Sequence, residues 1–185
     1  MRCFVAVDVS ERAREQVGRL LGALRPSVPG VRWVRPDRMH LTLVFLGEVD
    51  DRFVDRARQA LEGATSGAAP FRARLGGLGA FPSPGRARVV WVGMKEGRDA
   101  LCGLQQRVES ALEGAGYRPE RRPFSPHLTL GRLRTPGDVA PACAVDFTSD
   151  GFNIDRVVMY RSVLAPEGPE YTRLAEFPLA AAGSA

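Results

Sequence analysis

The tetrapeptide HLTL occupies residues 40–43 and recurs, letter for letter, at residues 127–130. The chain contains two histidines, His40 and His127, and each of them opens one of these copies. Because residues i and i+2 of a β-strand point to the same side, each copy would place its histidine and threonine on one side and its two leucines on the other. The leucines predict burial in a core, and the histidine and threonine predict a shared polar face.

The sequence around the two copies repeats one order of elements. In each half a strand is followed by a helix, by a basic connection that contains proline, and then by the HLTL strand. We interpret this order as a diverged internal duplication. It predicts an α+β fold with two pseudo-symmetric lobes, each an antiparallel β-sheet with helices on its outer face, and with the two sheets lining a central cleft. We expect residues 1–179 to form this single bilobal domain and residues 180–185 to be a disordered tail.

The individual elements follow from periodicity and from terminating residues. Apolar residues at helical spacing predict one helix that Ser10 caps and Pro26 ends, a second at 51–63 and a third near 98–113. Alternation predicts two or three strands in the C-terminal third, and earlier strands at 4–9, 31–34, 40–46, 71–78, 87–94 and 127–133.

Composition narrows the class of protein. The chain has 185 residues, and its hydrophobic content of 44% is sufficient for a globular core. Three widely spaced cysteines, Cys3, Cys102 and Cys143, form no C-x-x-C pair, which argues against a disulfide framework or a cysteine-based zinc site and favours a reducing, cytoplasmic location. The N-terminal MRCFVAVDVS is typical of a strand rather than of a signal peptide. No apolar run approaches the roughly 18 residues of a membrane span.

Positive charge is concentrated beside the two HLTL copies. The chain carries a net charge of +5. Residues 30–47 hold three arginines against one aspartate, and residues 116–134 hold five arginines against one glutamate. This placement suits an anionic substrate such as a phosphate ester or a nucleic acid. A compositional preference for arginine would explain the amount of positive charge but not its position.

Two histidines that face one cleft have three possible uses. A metal pair would need further ligands, and the sequence shows no H-x-x-x-H, cysteine pair or carboxylate triad nearby. A nucleophilic histidine would explain only one of the two residues. A general acid and a general base explain both, because histidine titrates near neutral pH. Such a pair, with threonine hydroxyls that bind oxygens and arginines nearby, fits the cleavage of a cyclic phosphodiester without a metal.

The residues that surround the two copies carry a family resemblance. The segments WVRPDRMHLTLVFLGEV (33–49), GAFPSPGRARVVWVG (79–93), RPFSPHLTLGR (122–132) and YRSVLAPEGPEYTRLAEFPL (160–179) resemble the two-histidine (2H) phosphoesterases. Within that superfamily they look like the bacterial RNA 2′,3′-cyclic phosphodiesterases, also called 2′-5′ RNA ligases (the ThpR/LigT group). The resemblance covers roughly residues 2–179.

The resemblance implies a division of labour among four residues. It makes His40 the proton donor to the ribose 3′-oxygen and His127 the proton acceptor that activates water. It also implies that Thr42 and Thr129 bind the phosphate, that the product is a 2′-phosphate, and that no metal or other cofactor takes part. RNA that ends in a 2′,3′-cyclic phosphate, such as tRNA halves or oligonucleotides, would then be the partner of a monomeric enzyme.

Four further residues have candidate roles. Strict alternation places Arg132 opposite His127, so phosphate contact requires a β-bulge at Gly131; otherwise Arg132 is a surface or ion-pair residue. Alternation also places Phe45 on the leucine side, which favours core packing over stacking on a base. Trp33 and Trp91 are expected in the core or between the lobes.

Three functions remain open on the sequence alone. The leading hypothesis is metal-independent hydrolysis of RNA 2′,3′-cyclic phosphate ends. The first alternative is 2′-5′ ligation of RNA at the same site, which uses the same groups. The second alternative is a module that binds RNA ends without turnover, and the two intact histidines argue against it.

Overall fold

The computed structural model describes residues 1–119, 122–166 and 168–181. The expected tail at 180–185 lies mostly outside these residues. The described helices are α1 (Glu11–Leu24), α2 (Asp51–Thr65), α3 (Arg98–Gly114) and the short α4 (Ala140–Cys143). The described strands are β1 (Arg2–Asp8), β2 (Val31–Trp33), β3 (His40–Glu48), β4 (Phe71–Phe81), β5 (Ala87–Glu96), β6 (Leu128–Gly137), β7 (Phe152–Ile154), β8 (Arg156–Ala165) and β9 (Gly168–Pro178).

Two antiparallel sheets carry the two HLTL copies. The first sheet has the strand order β3-β1-β8-β9, and the second has the order β2-β6-β5-β4-β7. The first copy begins the edge strand β3, and the second lies at the start of β6, which pairs with β5 and β2. The α+β fold with two sheets in pseudo-symmetric lobes, expected from the sequence, is confirmed. Each sheet combines strands from both halves of the chain.

Local sequence signals set the helices. The Ser10 side chain accepts a hydrogen bond from the Ala13 amide at 3.2 Å, and Asp50 accepts one from the Phe53 amide at 2.7 Å. Side chains of this kind satisfy amide groups that have no partner within the helix. The three long helices lie where periodicity predicts them, with ends that differ by up to two residues.

The first sheet is apolar on both faces. One face contributes Cys3, Val5 and Val7 to the main core, which also holds most of the buried residues of the three long helices and of the second sheet. The opposite face carries a separate small cluster, formed by Phe4, Ala6, Val158 and Tyr160 with Tyr171 packed against it. This second cluster lies on the side that bears His40, and we call that side the cleft face of the first sheet.

Two details differ from the prediction, and a third falls within it. Strand β4 continues to Phe81 instead of ending near residue 78. The four-residue helix α4 has no clear periodic signal, since four residues are too few to show one. The C-terminal third forms three strands, the upper end of the expected number. Among the described residues, no helix is long and apolar enough to cross a membrane.

Candidate active site

The two HLTL copies divide into a buried side and a partly exposed side, as alternation predicts. Leu41, Leu43, Leu128 and Leu130 are buried. The histidines and the threonines of both copies are only partly buried. Within the described part of the chain, neither Thr42 nor Thr129 has its hydroxyl bonded to another protein group. Both hydroxyls are therefore available to the oxygens of a ligand.

Each imidazole is held by a backbone carbonyl two residues earlier. The Nδ1 atom of His40 lies 3.1 Å from the carbonyl oxygen of Arg38, and the Nδ1 atom of His127 lies 2.7 Å from that of Ser125. A carbonyl oxygen only accepts, so Nδ1 carries the proton in both rings. The Nε2 atom is then the one that gains or loses a proton. This holds for both histidines, because each Nδ1 bonds to the carbonyl two residues earlier.

Aromatic side chains surround each imidazole. The His40 ring stacks on Phe4, with centroids 4.6 Å apart, and meets the edge of Tyr171 at 5.1 Å. The His127 ring meets Phe81 edge-on at 5.2 Å and lies 6.4 Å from Trp91. These rings restrict the orientation of both imidazoles and keep water from their flanks.

Burial favours the neutral form of both imidazoles in the ligand-free protein by lowering their pKa. It lowers the pKa of His40 to about 4, although the hydrogen bond to the Arg38 carbonyl and the charge of Asp8 act in the opposite direction. Burial also lowers the pKa of His127, where the carbonyl of Ser125 opposes the shift and the charge of Arg132 adds to it. The charges of Asp8 and Arg14 act on the pKa of His40 in opposite directions, whereas Arg132 alone is the charge that shifts His127, so the two surroundings differ.

Tyr171 links the surroundings of the two histidines. Its ring touches that of His40. Burial raises the pKa of the Tyr171 hydroxyl, and the positive charges of Arg132, Arg38 and Arg2 oppose that rise. Arg132 acts in the same way on His127. The charge of Arg132 therefore acts on His127 and on the tyrosine that contacts His40.

A β-bulge follows the threonine in each copy. In β6, Val90 pairs with Gly131 and Trp91 with Thr129, so Leu130 is an extra residue. Leu130 and Gly131 are consecutively buried, and Arg132 returns to the side that carries His127. The bulge that would re-aim Arg132 is present, while its contact with phosphate stays a prediction.

The same irregularity occurs in β3 and overturns the prediction for Phe45. Val44 pairs with Val5 and Thr42 with Ala6, which leaves Leu43 as the extra residue. Phe45 consequently lies on the cleft face beside Phe4, with ring centroids 6.2 Å apart, and is 52% exposed. The expectation of core packing was therefore wrong, because parity counting assumes an uninterrupted strand.

Five further aromatic residues lie in the core or near the histidines, and three of them were not predicted. Trp33 packs partly buried against the core, as expected. Trp91 packs against Gly79 and Phe81 on the side of His127, and its indole Nε1 is buried without a hydrogen-bond partner. Phe4, Tyr171 and Phe81 reach the histidines through strand pairing that a single sequence does not display. Alternation in FVAVDV was the available signal for Phe4, since it puts Phe4 and Ala6 on one face.

The fold and the paired imidazoles define the class of protein as a phosphoesterase of the two-histidine type. A family model described as LigT like Phosphoesterase matches residues 7–91 and again residues 92–171. The chain belongs to this family. Within the described residues, no three His, Cys, Asp or Glu side chains gather where they could hold a metal ion.

Relatives of the chain match it over nearly its whole length. An RNA 2′,3′-cyclic phosphodiesterase of Archaeoglobus fulgidus is 38% identical over 180 residues, which covers 96% of this chain and 99% of the relative. The crystal structure of TT0787 of Thermus thermophilus has a TM-score of 0.84 at 31% identity and covers 98% of this chain and 99% of that one. E. coli LigT complexed with 3′-AMP has a TM-score of 0.79 at 28% identity and covers 96% and 97%.

Proposed function

We propose that this protein is a hydrolase that opens the 2′,3′-cyclic phosphate at the end of an RNA, leaving a 2′-phosphate. One observation carries the proposal. Two imidazoles, each with Nδ1 fixed on a backbone carbonyl, lie beside two threonine hydroxyls that have no protein partner among the described residues. The names of relatives at 28–38% identity, all RNA 2′,3′-cyclic phosphodiesterases, support the substrate class.

In the proposed reaction the two histidines exchange one proton each with the reactants. Nε2 of His127 takes a proton from water, and the water oxygen attacks the phosphorus. The bond between phosphorus and the ribose 3′-oxygen breaks, and His40 donates a proton from Nε2 to that oxygen. The hydroxyls of Thr42 and Thr129 donate hydrogen bonds to the phosphoryl oxygens. Solvent then restores the starting protonation of both rings.

The substrate itself supplies the charge that a proton donor needs. In the ligand-free protein the pKa of His40 is held at about 4, which makes the ring neutral near pH 7. A phosphodiester carries a negative charge, and an anion within about 4–6 Å favours the protonated form of an imidazole. Binding of the cyclic phosphate therefore raises the pKa of His40, and protonation is coupled to occupancy. The division of roles between His40 and His127 follows the family resemblance.

The decisive experiment uses a short RNA that ends in a 2′,3′-cyclic phosphate, in buffer that contains EDTA. We expect turnover to a 2′-phosphate product, because the proposed chemistry uses no metal or other cofactor. His40→Ala and His127→Ala should each lose about 100-fold to 10,000-fold in kcat, the usual contribution of a general acid or base. Arg52→Gln, on the exposed side of α2, serves as the matched control and should keep full activity.

Four outcomes would contradict the proposal. Activity that disappears in EDTA would exclude the metal-free mechanism. A His127→Ala enzyme with normal turnover would exclude the acid and base pair. A 2′-5′-linked product in the presence of RNA with a 5′-hydroxyl would indicate ligation, and tight binding without any product would indicate a binding module.

We propose further that residues 1–179 act as one domain in a monomeric, cytoplasmic enzyme. The exchange of strands between the halves and the two matched segments, 7–91 and 92–171, support a duplicated unit that folds as one body. The three cysteines are free thiols, which suits a reducing compartment. RNA ends of tRNA halves or oligonucleotides are the proposed substrates.

A further inference from the structure

Two arginines face each other across the edge of the second sheet. Arg32 of β2 pairs directly with Arg132 of β6, and both side chains are exposed. Like charges in directly opposite positions of an antiparallel pair destabilise the sheet. Within the described residues neither arginine has an ion pair, whereas Arg156 is paired with both Asp155 and Glu176. The uncompensated pair indicates a place where an anion from outside the protein binds.

Further positive charge converges on the same place from Arg38, which lies in the turn just before β3. Gly168 begins β9, and a Cβ atom built there would lie 3.0 Å from Nη1 of Arg38 and 3.5 Å from Nη2 of Arg32. The backbone of Gly168 has φ +107°, so a side chain is disfavoured at this point and the space stays open. Arg132 and Arg38 also act electrostatically on the hydroxyl of Tyr171. The arginine pair therefore adjoins the histidine site without being part of either HLTL copy.

The amount of charge exceeds what the reacting phosphate requires. A cyclic phosphodiester carries one negative charge, and the two imidazoles and two threonine hydroxyls already bind it in the proposed mechanism. Each additional nucleotide of an RNA adds one more phosphodiester. Guanidinium groups bind phosphate oxygens through two parallel hydrogen bonds, and two facing guanidiniums suit one such anion between them.

We propose that Arg32 and Arg132, with Arg38 beside them, bind a non-reacting phosphodiester of the RNA chain adjacent to its cyclic end. The inference rests on the proposed function and deepens it. It makes the preferred substrate an RNA of at least two nucleotides rather than a nucleoside 2′,3′-cyclic phosphate. Arg32 is then a determinant of specificity, since it recognises chain length and takes no part in proton transfer.

The test compares two substrates and two readouts. The value of kcat/KM is measured for a nucleoside 2′,3′-cyclic phosphate and for a trinucleotide with the same cyclic end. Binding of the trinucleotide 2′-phosphate and of the nucleoside 2′-phosphate is measured by calorimetry, which requires no turnover. Both measurements use the wild-type protein, Arg32→Gln and the control Arg52→Gln.

We expect Arg32→Gln to lose about tenfold in kcat/KM and in affinity for the trinucleotide, and to be unchanged on the single nucleotide. The salt dependence of trinucleotide binding should become shallower by about 0.7 in log K against log [salt], the loss of one phosphate contact on a single strand. Arg32→Gln should also unfold at a higher temperature than wild type at low salt, because repulsion from Arg132 is removed.

The remaining outcomes of the experiment either support or overturn the phosphate site at Arg32 and Arg132. Equal losses on both substrates, or no loss on either, would overturn the inference. If the wild-type protein turns over neither substrate, the proposed hydrolysis fails. The calorimetric affinities for the two 2′-phosphates then test the phosphate site without turnover. A trinucleotide preference that depends on Arg32 would support the phosphate site, and equal binding by wild type and Arg32→Gln would refute it.

Discussion

The ligand-free protein should lose stability on acidification, and His40 should account for a defined part of that loss. Burial holds the pKa of His40 at about 4 in the folded protein. An unperturbed histidine in the unfolded chain titrates near a pKa of about 6.5. Because the folded state binds fewer protons between these values, its stability falls as the pH decreases through that window. The contribution of the neutral ring is fully present above about pH 6.5 and is lost by about pH 4.

The two pKa values give the size of the effect. Relative to pH 7, the contribution of His40 falls by about 2 kcal/mol at pH 5 and by about 3 kcal/mol at pH 4. These values amount to a large share of the free energy of unfolding of a typical domain. Phosphate or RNA should be absent, because a bound anion would raise the pKa of His40 and reduce the loss.

Urea unfolding of wild type and His40→Gln between pH 7 and pH 4.5 isolates this contribution. Glutamine can donate to the Arg38 carbonyl but does not titrate. The carboxylates titrate alike in both proteins, so the difference between the two unfolding free energies cancels them. We expect His40→Gln to gain about 2 kcal/mol on wild type between pH 7 and pH 5. A difference that stays constant across this range would refute the assignment of a lowered pKa to His40.

Three further predictions concern neighbouring residues. Asp8→Asn removes a charge that favours protonated His40 but keeps an acceptor for the Tyr160 hydroxyl, which donates to Asp8 at 2.6 Å. Because the pKa of the proton donor falls, we expect the basic limb of the pH–rate profile to move to lower pH. An unchanged profile would contradict this. Leu130→Ala should lower the free energy of unfolding by about 2–5 kcal/mol in urea titrations, because Leu130 is fully buried. Phe45→Ala should change the free energy of unfolding by less than about 0.5 kcal/mol, because Phe45 is largely exposed, yet weaken trinucleotide binding about tenfold in calorimetry. A large loss of stability would instead indicate that Phe45 packs in the core.

The parts of the fold that local sequence determines could be predicted. Ser10 and Asp50 cap their helices because the signal and the structure lie within three residues of each other. The buried leucines of HLTL follow from alternation alone. Strand order could not be predicted in the same way, since β2 pairs with β6 and β8 pairs with β1 over long distances in the sequence.

Alternation predicted the faces of the side chains in each copy as far as the threonine, and the faces beyond it depend on a β-bulge. Gly131 signalled the bulge in β6, because glycine tolerates a break in the strand. The equivalent position in β3 is Val44, which carries no such signal, so Phe45 was placed on the wrong face. The opposition of Arg32 and Arg132 depends on the pairing of β2 with β6, which no local pattern displays.

The exchange of strands between the halves ties the stability of each sheet to the whole chain. The first sheet takes β3 and β1 from one half and β8 and β9 from the other, and the second sheet is mixed in the same way. Neither half contains all the strands of either sheet. Cutting the chain between its halves would therefore leave the edges of both sheets unpaired, and each fragment would expose backbone groups that pair with other strands.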